Sequence, residues 1–446
     1  MSSAPGIVLA HGIGSRTDLP IPLSLALYGS GMAVVISFAA LGLLWPKARL
    51  TGDRAGRPIP LGVQRVLDAP ALRWALRLLA LAIAAFVVVV ALAGPRDAVS
   101  NLAPYTLYIV FWCGLVAVSL LLGPVWRAIN PLRTLHRALS AAGGSDPDEG
   151  LRPLPESLGY WPAAASIAVF VWLELVPSWR ARPVIVGVFL VAYTTAHLVA
   201  AQVYGARWFD RGEGFEVYST LIGRLAPLGR RDDGRLVLRN PMNGLDGVRA
   251  APGLVAVVAV LIGSTGFDGV TRTKLWRDNV ASDGLITGTL GITGTIAVVA
   301  IAYLVATRYA GRLGDPDGDL EREPPMSARF AHSVIPIAVG YAVAHYFSLL
   351  IFDGQQALIL ASDPFQTGAD LIGTSDRGID YDLVSTSGIA YVQVGAIVLG
   401  HVVGVIAAHD RAVRLFDKRR ATRSQYPLLA VMVAFTVGGV ALLFGT

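Results

Sequence analysis

The sequence predicts an all-α, polytopic membrane protein with about ten transmembrane helices and both termini extracytoplasmic. Three observations carry this. Of the 446 residues, 54% are hydrophobic and only 15% charged, whereas soluble chains carry about 25% charged residues. The apolar residues gather in runs near the ~20 residues needed to cross a bilayer. The Lys and Arg residues fall mostly between alternate pairs of those runs, which is the pattern of cytoplasmic loops. Composition also excludes several classes. A single cysteine, Cys113, supports no disulfide framework, Cys-based zinc site or cysteine-held iron–sulfur cluster. The 48 Gly and 26 Pro lie inside and between the apolar runs, as they do in membrane helices. A pI near 9.5 calls for no nucleic-acid partner, because the basic residues follow the membrane pattern.

The candidate spans, in order, are 22–45, 75–94, 104–123, 160–177, 183–204, 251–267, 286–307, 330–352, 388–408 and 427–444. The fourth carries Glu174 and the sixth is short. Only Ser178–Arg182 separates the fourth from the fifth, so these two should form a tight helical hairpin. Basic loops are expected on the cytoplasmic side at 46–74, 124–159, 205–250, 308–329 and 409–426. With the first counted on to residue 77, they hold 29 of the 37 Lys and Arg residues. All five fall on one side of a ten-helix count, and a missed helix would scramble that alternation. The short amino-terminal segment 1–21 lacks a basic start, and Arg16 and Asp18 follow the brief run Gly6–Ala10. That matches a signal peptide poorly, although Val8–Leu9–Ala10 loosely resembles a cleavage site. The chain is read as one integral membrane domain, 1–446, with 205–250 at most an amphipathic or hairpin-like cap. Asn130–Pro131 and Asn240–Pro241 predict turns in two basic loops.

An ionisable side chain inside a span is costly and asks for a partner or a function. The set is small: Glu174, His197, His345 and His401, with Asp268, Asp353, His332 and His409 at helix ends. At ~1.5 Å per residue they form two layers, an outer group of Glu174, Asp268, Asp353 and His345 and a deeper pair, His197 and His401. Glu174 and His345 are expected to approach each other or to share Asp268. Tyr193 and Tyr341 each precede a histidine by one turn, in Tyr193-x-x-x-His197 and Tyr341-x-x-x-His345, on the same helical face. A tyrosine hydroxyl there can fix the tautomer of the ring and free its other nitrogen as ligand or base. The simpler alternative is that each pair satisfies buried polar groups between helices.

Histidine and carboxylate suit a divalent metal ion, so His345, His197, His401 and Glu174 are the candidate ligands. No HExxH, HxH or CxxC motif is present, so such a site would be assembled from several helices. His332 and His409, beside Arg329 and Arg411, read as helix-end or headgroup contacts, and His136 as interfacial. The outer loop 353–387 carries Asp353, Asp363, Asp370, Asp376, Asp380 and Asp382 against Arg377. It either gathers cations or is simply a solvated loop. His11-Gly12-x-Gly14 neither follows a strand nor opens a nucleotide fold. Trp126–Arg127 and Trp208–Phe209, with Arg207 and Arg211, read as interfacial anchors.

Several stretches together resemble a known family. They are His11-Gly12 with Asp18-Leu19-Pro20-Ile21-Pro22, Trp126-Arg127-x-x-Asn130-Pro131, and Trp208-Phe209-x-x-Gly212-Glu213-Gly214-Phe215-Glu216-Val217-Tyr218. Gly263-Ser264-x-x-Phe267-Asp268-Gly269, Ala344-His345-Tyr346-Phe347-Ser348, Gly400-His401-Val402-Val403-Gly404, His409-Asp410-Arg411-Ala412 and Arg423-Ser424-Gln425-Tyr426 complete the set. As a set they resemble the fenitrothion hydrolases, a bacterial and largely actinobacterial family of polytopic membrane proteins. The resemblance implies a location in the bacterial plasma membrane and hydrolysis of an organophosphate triester, but carries over no established catalytic residues.

Three functions follow as expectations. A membrane-embedded hydrolase would activate water with a metal or general base and polarise a phosphoryl oxygen. Its catalytic candidates are His197, His345, His401, Glu174 and Asp268, supported by Tyr193 and Tyr341, and its apolar substrate would arrive through the lipid bilayer. A proton- or cation-coupled transporter would use the same residues as steps of a path. An accessory membrane subunit would use them for assembly alone. The topology is open to test by cysteine labelling at Ser3 and Thr446 from outside intact cells. Both positions should label; protection of one alone removes the ten-helix count.

Overall fold

The computed structural model describes residues 21–280, 284–318 and 324–444; the amino-terminal His11, Gly12, Gly14 and Asp18 lie outside them. Ten helices in it are long and apolar enough to cross a membrane. They are α1 (Leu23–Leu44), α2 (Pro70–Ala93), α3 (Leu102–Leu122), α4 (Trp161–Leu175, which reaches 20 residues with the helical turn before it, from Glu156), α5 (Pro183–Tyr204), α6 (Leu254–Thr271), α7 (Leu285–Gly314), α8 (Ile335–Ser362), α9 (Thr386–Leu415) and α10 (Tyr426–Phe444). Their many outward Leu, Val and Ile side chains are exposed, as expected where lipid replaces water. Strand structure among the described residues is confined to a small antiparallel sheet of β1 (Arg57–Pro58), β2 (Leu228–Arg230) and β3 (Leu236–Leu238), in the order β1-β3-β2. Pro58, which has no N–H to give, sits on an edge strand.

Apolar helices gain little by leaving lipid for one another, so close backbone approach has to hold them together. The α8–α9 pair does this with glycine. A Cβ on Gly340 would lie 2.5 Å from the Ala396 carbonyl oxygen, one on Gly400 2.5 Å from that of Pro336, and one on Gly404 2.6 Å from that of Ser333. Around this pair, α3 and α6 pack on α8 and α1 packs on α9 and α10. Helix α6 also packs on α4 and α7, and α2 on α5. From Tyr105 to Cys113, α3 widens into a π-helical stretch. This turns Tyr108 and Trp112 into the interior, where both are buried.

Two differences from the sequence expectation matter for function. First, 205–250 is more than a cap. It contains the helix Gly214–Gly223, whose Phe215, Val217, Tyr218, Leu221 and Ile222 are all buried. This helix packs on α3, α4 and the short helix Val125–Ile129, and reaches α8. Ten residues are too few to span, so hydropathy assigns them to a loop. Second, α8 continues to Ser362, beyond the expected end at residue 352, so Asp353 is helical. The following loop folds on its own amides. Asp363 accepts the Thr367 and Gly368 N–H groups at 2.9 and 2.8 Å. Asp370 accepts the Ser362 hydroxyl at 2.5 Å and the Thr374 and Ser375 N–H groups at 2.9 and 3.1 Å. The Ser362 hydroxyl and those amides hold the Asp370 carboxyl down to about 2. These acids are turn-forming groups.

Gly400→Val should therefore lower stability by roughly 1–3 kcal/mol, as overpacking does, read as an earlier thermal unfolding transition in detergent. Gly395→Ala, on the same helix but with open space around its Cβ, should leave the transition in place. Equal transitions for both variants would remove the glycine contact as the bundle's fastening.

Candidate functional site

Among the clusters of buried charge, two contain catalytic candidates singled out in the sequence. In the first, Asp268 on α6 and His345 on α8 meet, with Asp268 Oδ2 2.6 Å from His345 Nε2. Arg272, one turn further along α6, donates to the same oxygen at 2.9 Å. A carboxylate only accepts, so Nε2 carries the proton and Nδ1 is left as the basic atom. The pair borders a cleft lined by Thr265, Gly269, Arg272, Tyr341 and His345. The cleft opens to the bundle surface, and about 30 Å³ of it admits the centre of a water molecule. That suffices for one or two waters.

Glu174 on α4 is buried, and its Oε2 has no hydrogen-bond partner among the described residues. The charges of Asp268 and Arg180 act on it. Glu174 and His345 thus both have Asp268 as an electrostatic neighbour, and only His345 bonds to it. An aromatic wall follows. The Trp112 indole N–H donates to the Tyr346 hydroxyl at 2.9 Å, and Trp112 stacks on Tyr218 of the buried helix with centroids 4.3 Å apart.

The second cluster surrounds the amino end of the buried helix. Glu213, 0% exposed, caps it by accepting the N–H groups of Phe215 at 3.0 Å and Glu216 at 2.8 Å. It also accepts the Trp126 indole at 3.2 Å, the Asn130 amide at 3.1 Å and a short bond from the Tyr193 hydroxyl. Glu216 is held by Arg133 through Nε at 2.7 Å and Nη2 at 2.5 Å, a two-pronged grip suited to carboxylate. Asp210 pairs with Arg133 and with Arg127, both at 2.9 Å. His197 completes the group. Its Nδ1 accepts the Trp208 indole N–H at 3.0 Å, and its Nε2 lies 3.3 Å from the Ser166 hydroxyl.

The candidates from sequence are thus distributed over different surroundings. Tyr193 neighbours His197, with ring centroids 4.3 Å apart, but Trp208 fixes the tautomer, because an indole can only donate. Tyr341 makes no bond to His345. Its long side chain reaches α10 and donates to the Phe435 carbonyl. His401 is fully buried, with Nδ1 2.8 Å from the Ile397 carbonyl of its own helix and Nε2 unpartnered among the described residues. No group of three His, Cys, Asp or Glu side chains among the described residues is placed to hold a metal. His345, His197, His401 and Glu174 therefore do not form one ligand set.

Other readings change through burial. Trp126 and Trp208 are donors to the second cluster. Asn130 and Asn240 cap helices, accepting from Leu132 N at 2.9 Å and Met242 N at 3.0 Å. His136 bonds the Pro147 carbonyl at 2.9 Å, and His332 is buried. His409 faces the Trp45 carbonyl at 3.0 Å and Gln425 Oε1 at 3.2 Å. Its neighbour Asp410 accepts the Trp45 indole at 2.9 Å and the Arg49 N–H at 2.6 Å. His409-Asp410 therefore clamps the segment after α1 onto α9.

Sequence reasoning missed Ser166, Arg133 and Arg272, and named Glu213 and Glu216 only within the family resemblance, not as site residues. The available signal was Gly212–Tyr218, where two glutamates interrupt an otherwise apolar and glycine-rich stretch. No protein family, curated protein or solved structure matches the chain.

Arg133→Ala leaves Glu216 buried without its charge partner and should cost about 3–5 kcal/mol. Arg127→Ala, at a guanidinium 53% exposed, should cost under about 1 kcal/mol. Thermal unfolding of the two variants checks this; equal losses would contradict the ranking.

Proposed function

We propose that this chain is a multi-pass protein of the bacterial plasma membrane that moves protons together with a small solute or cation. Asp268, His345 and Arg272 form its working centre in this reading. The observation that carries it is the Asp268–His345 bond, an acid–base pair inside an apolar bundle at a cleft with room for water. A carboxylate that orients a histidine leaves the other ring nitrogen ready to accept a proton from that water. The adjoining Arg272 cation keeps Asp268 compensated when His345 is neutral. Intramembrane ionisable residues of this kind mark proton and ion paths. The distribution of basic residues supports placing both termini and the 363–385 loop outside, with the Arg133–Glu216 cluster toward the cytoplasm.

A second reading, hydrolysis of an organophosphate triester, is favoured by the resemblance to the fenitrothion hydrolases and by the same dyad. His345 would take a proton from water as it attacks phosphorus, and Arg272 would draw charge from the phosphoryl oxygen. The size of the cleft weighs against it, because the about 30 Å³ open to water-sized spheres is far below the roughly 300–1,000 Å³ that drug-sized ligands occupy.

One pair of assays separates these readings. Purified protein is reconstituted in vesicles containing a pH-sensitive dye, and separately incubated with an aryl phosphotriester whose released phenol is followed by absorbance. Proton flux in the wild type that falls by about 10²-fold in His345→Gln and Asp268→Asn, without phenol release, supports transport. Phenol release lost in those variants, without flux, supports hydrolysis. Both activities surviving in both variants would move the working centre elsewhere.

A further inference from the structure

The second cluster contains a directed chain of hydroxyls that capping alone does not require. Because Trp208 donates to His197 Nδ1, the neutral ring carries its proton on Nε2 and donates it to Ser166. Ser166 Oγ also accepts the Gly214 N–H at 3.3 Å, so its own proton goes to the Tyr193 hydroxyl at 3.1 Å. Tyr193 in turn donates to Glu213 Oε1. Every bond points the same way, from His197 to Glu213.

Charge balance marks the end of that chain. Three carboxylates, Asp210, Glu213 and Glu216, lie against two guanidiniums, Arg127 and Arg133, which pair with Asp210 and Glu216. Glu213 has no cationic partner among the described residues, although it is 0% exposed. A buried carboxylate without a counter-charge is the group that a proton neutralises most readily.

We propose that Glu213 is a proton-binding site at the end of a relay through His197, Ser166 and Tyr193, with the Trp208 indole closing its entrance. The proposal extends the reading of the chain as a proton carrier to a second site. When Trp208 turns away, a proton from water binds His197 Nδ1. The Nε2–H bond then breaks toward Ser166, the Ser166 proton passes to Tyr193, and the Tyr193 proton passes to Glu213. The products are a neutral His197 protonated on Nδ1 and a neutral Glu213 carboxylic acid, so one proton has entered and none is lost.

The groups facing the relay are consistent with this. Tyr193 and His197 come from α5, Ser166 from α4, Asp210 and Trp208 from the helix Arg207–Arg211, Arg127 from the helix Val125–Ile129, Arg133 from the helix Pro131–Ala142, and Glu216 from the helix Glu213 caps. Burial pushes the Glu213 carboxyl up to about 7 against the pull of its donors, within reach of cytoplasmic pH. Trp208 is partly exposed, so it can exchange His197 for water. A Cβ on Gly212 would lie 2.6 Å from the Trp208 ring, so Gly212 gives the indole its place.

The test uses the full chain in lipid. Nitrogen-15 spectra of its histidines, with His197 assigned by its loss in His197→Gln, should show His197 protonated on Nε2 in the wild type. In Trp208→Phe and Gly212→Ala, which vacate Nδ1 by different routes, the Nδ1–H form should appear. Infrared difference spectra should show a carboxyl C=O band that titrates near pH 7, vanishes in Glu213→Gln and shifts in frequency in Tyr193→Phe. Ser166→Ala should uncouple that band from the His197 signal and lower vesicle proton flux by about 10²-fold, with thermal unfolding confirming that the variant is folded. A wild-type His197 protonated on Nδ1, or no titrating band that responds to Tyr193→Phe, overturns the relay. Absence of flux in the wild type overturns proton transport alone, because both spectroscopic readouts require no flux.

Discussion

The desolvation of charge governs this molecule. An apolar bundle in lipid holds an ionised carboxylate at least cost where donors or a counter-charge replace the water it has lost. Glu213 and Glu216 meet that condition in different ways, one by five neutral donors and the other by the Arg133 fork. Between them they let a ten-residue helix end inside the bundle with its first amides satisfied. The position of Tyr218 against Trp112, and of Trp112 against Tyr346, follows from that anchoring. So does the packing of α3, α4 and α8 around one interior.

The two clusters solve the same problem with opposite economies. Around Asp268 a cation and an imidazole converge on a single oxygen, so removal of a proton from His345 leaves Arg272 in place. Around Glu213 the charges are spread over three carboxylates and two guanidiniums, and the odd carboxylate is held by groups that have no charge of their own. The first arrangement fixes a charge, and the second leaves one adjustable. The aromatic wall between them presents rings to rings, and the buried Tyr218 hydroxyl has no partner among the described residues. It separates the two polar regions more than it links them.

How much of this was legible in sequence depended on the length of each apolar run. The ten spans were readable because each run approaches bilayer thickness; His345 stood out as a polar residue within such a run, and Asp268 at the end of one. The end of α8 was not, because Asp353, Gln355 and Gln356 look like loop residues until Gln355 is seen bonding the loop backbone at Asp380. The Glu213 cluster was hidden for a related reason. Its carboxylates and guanidiniums sit at segments of five to twelve residues, and a short helix with two glutamates resembles a solvated cap when its neighbours are unknown. The tyrosine-to-histidine spacing was read correctly as a shared helical face. A shared face still does not say which neighbouring helix a hydroxyl reaches, and both tyrosines bond elsewhere.

The glycine contact between α8 and α9 has a mechanical consequence. Backbones that touch at Gly340, Gly400 and Gly404 cannot slide or pivot against each other without collision, so these two helices behave as one rigid slab. Helix α6 is not fastened to that slab by the same trio. The bond from Asp268 to His345 therefore spans a seam between the slab and its neighbours, like a latch across a joint. Any motion of α6 against the slab has to stretch or break that bond, so the polar pair is also a mechanical tie between two parts of the bundle.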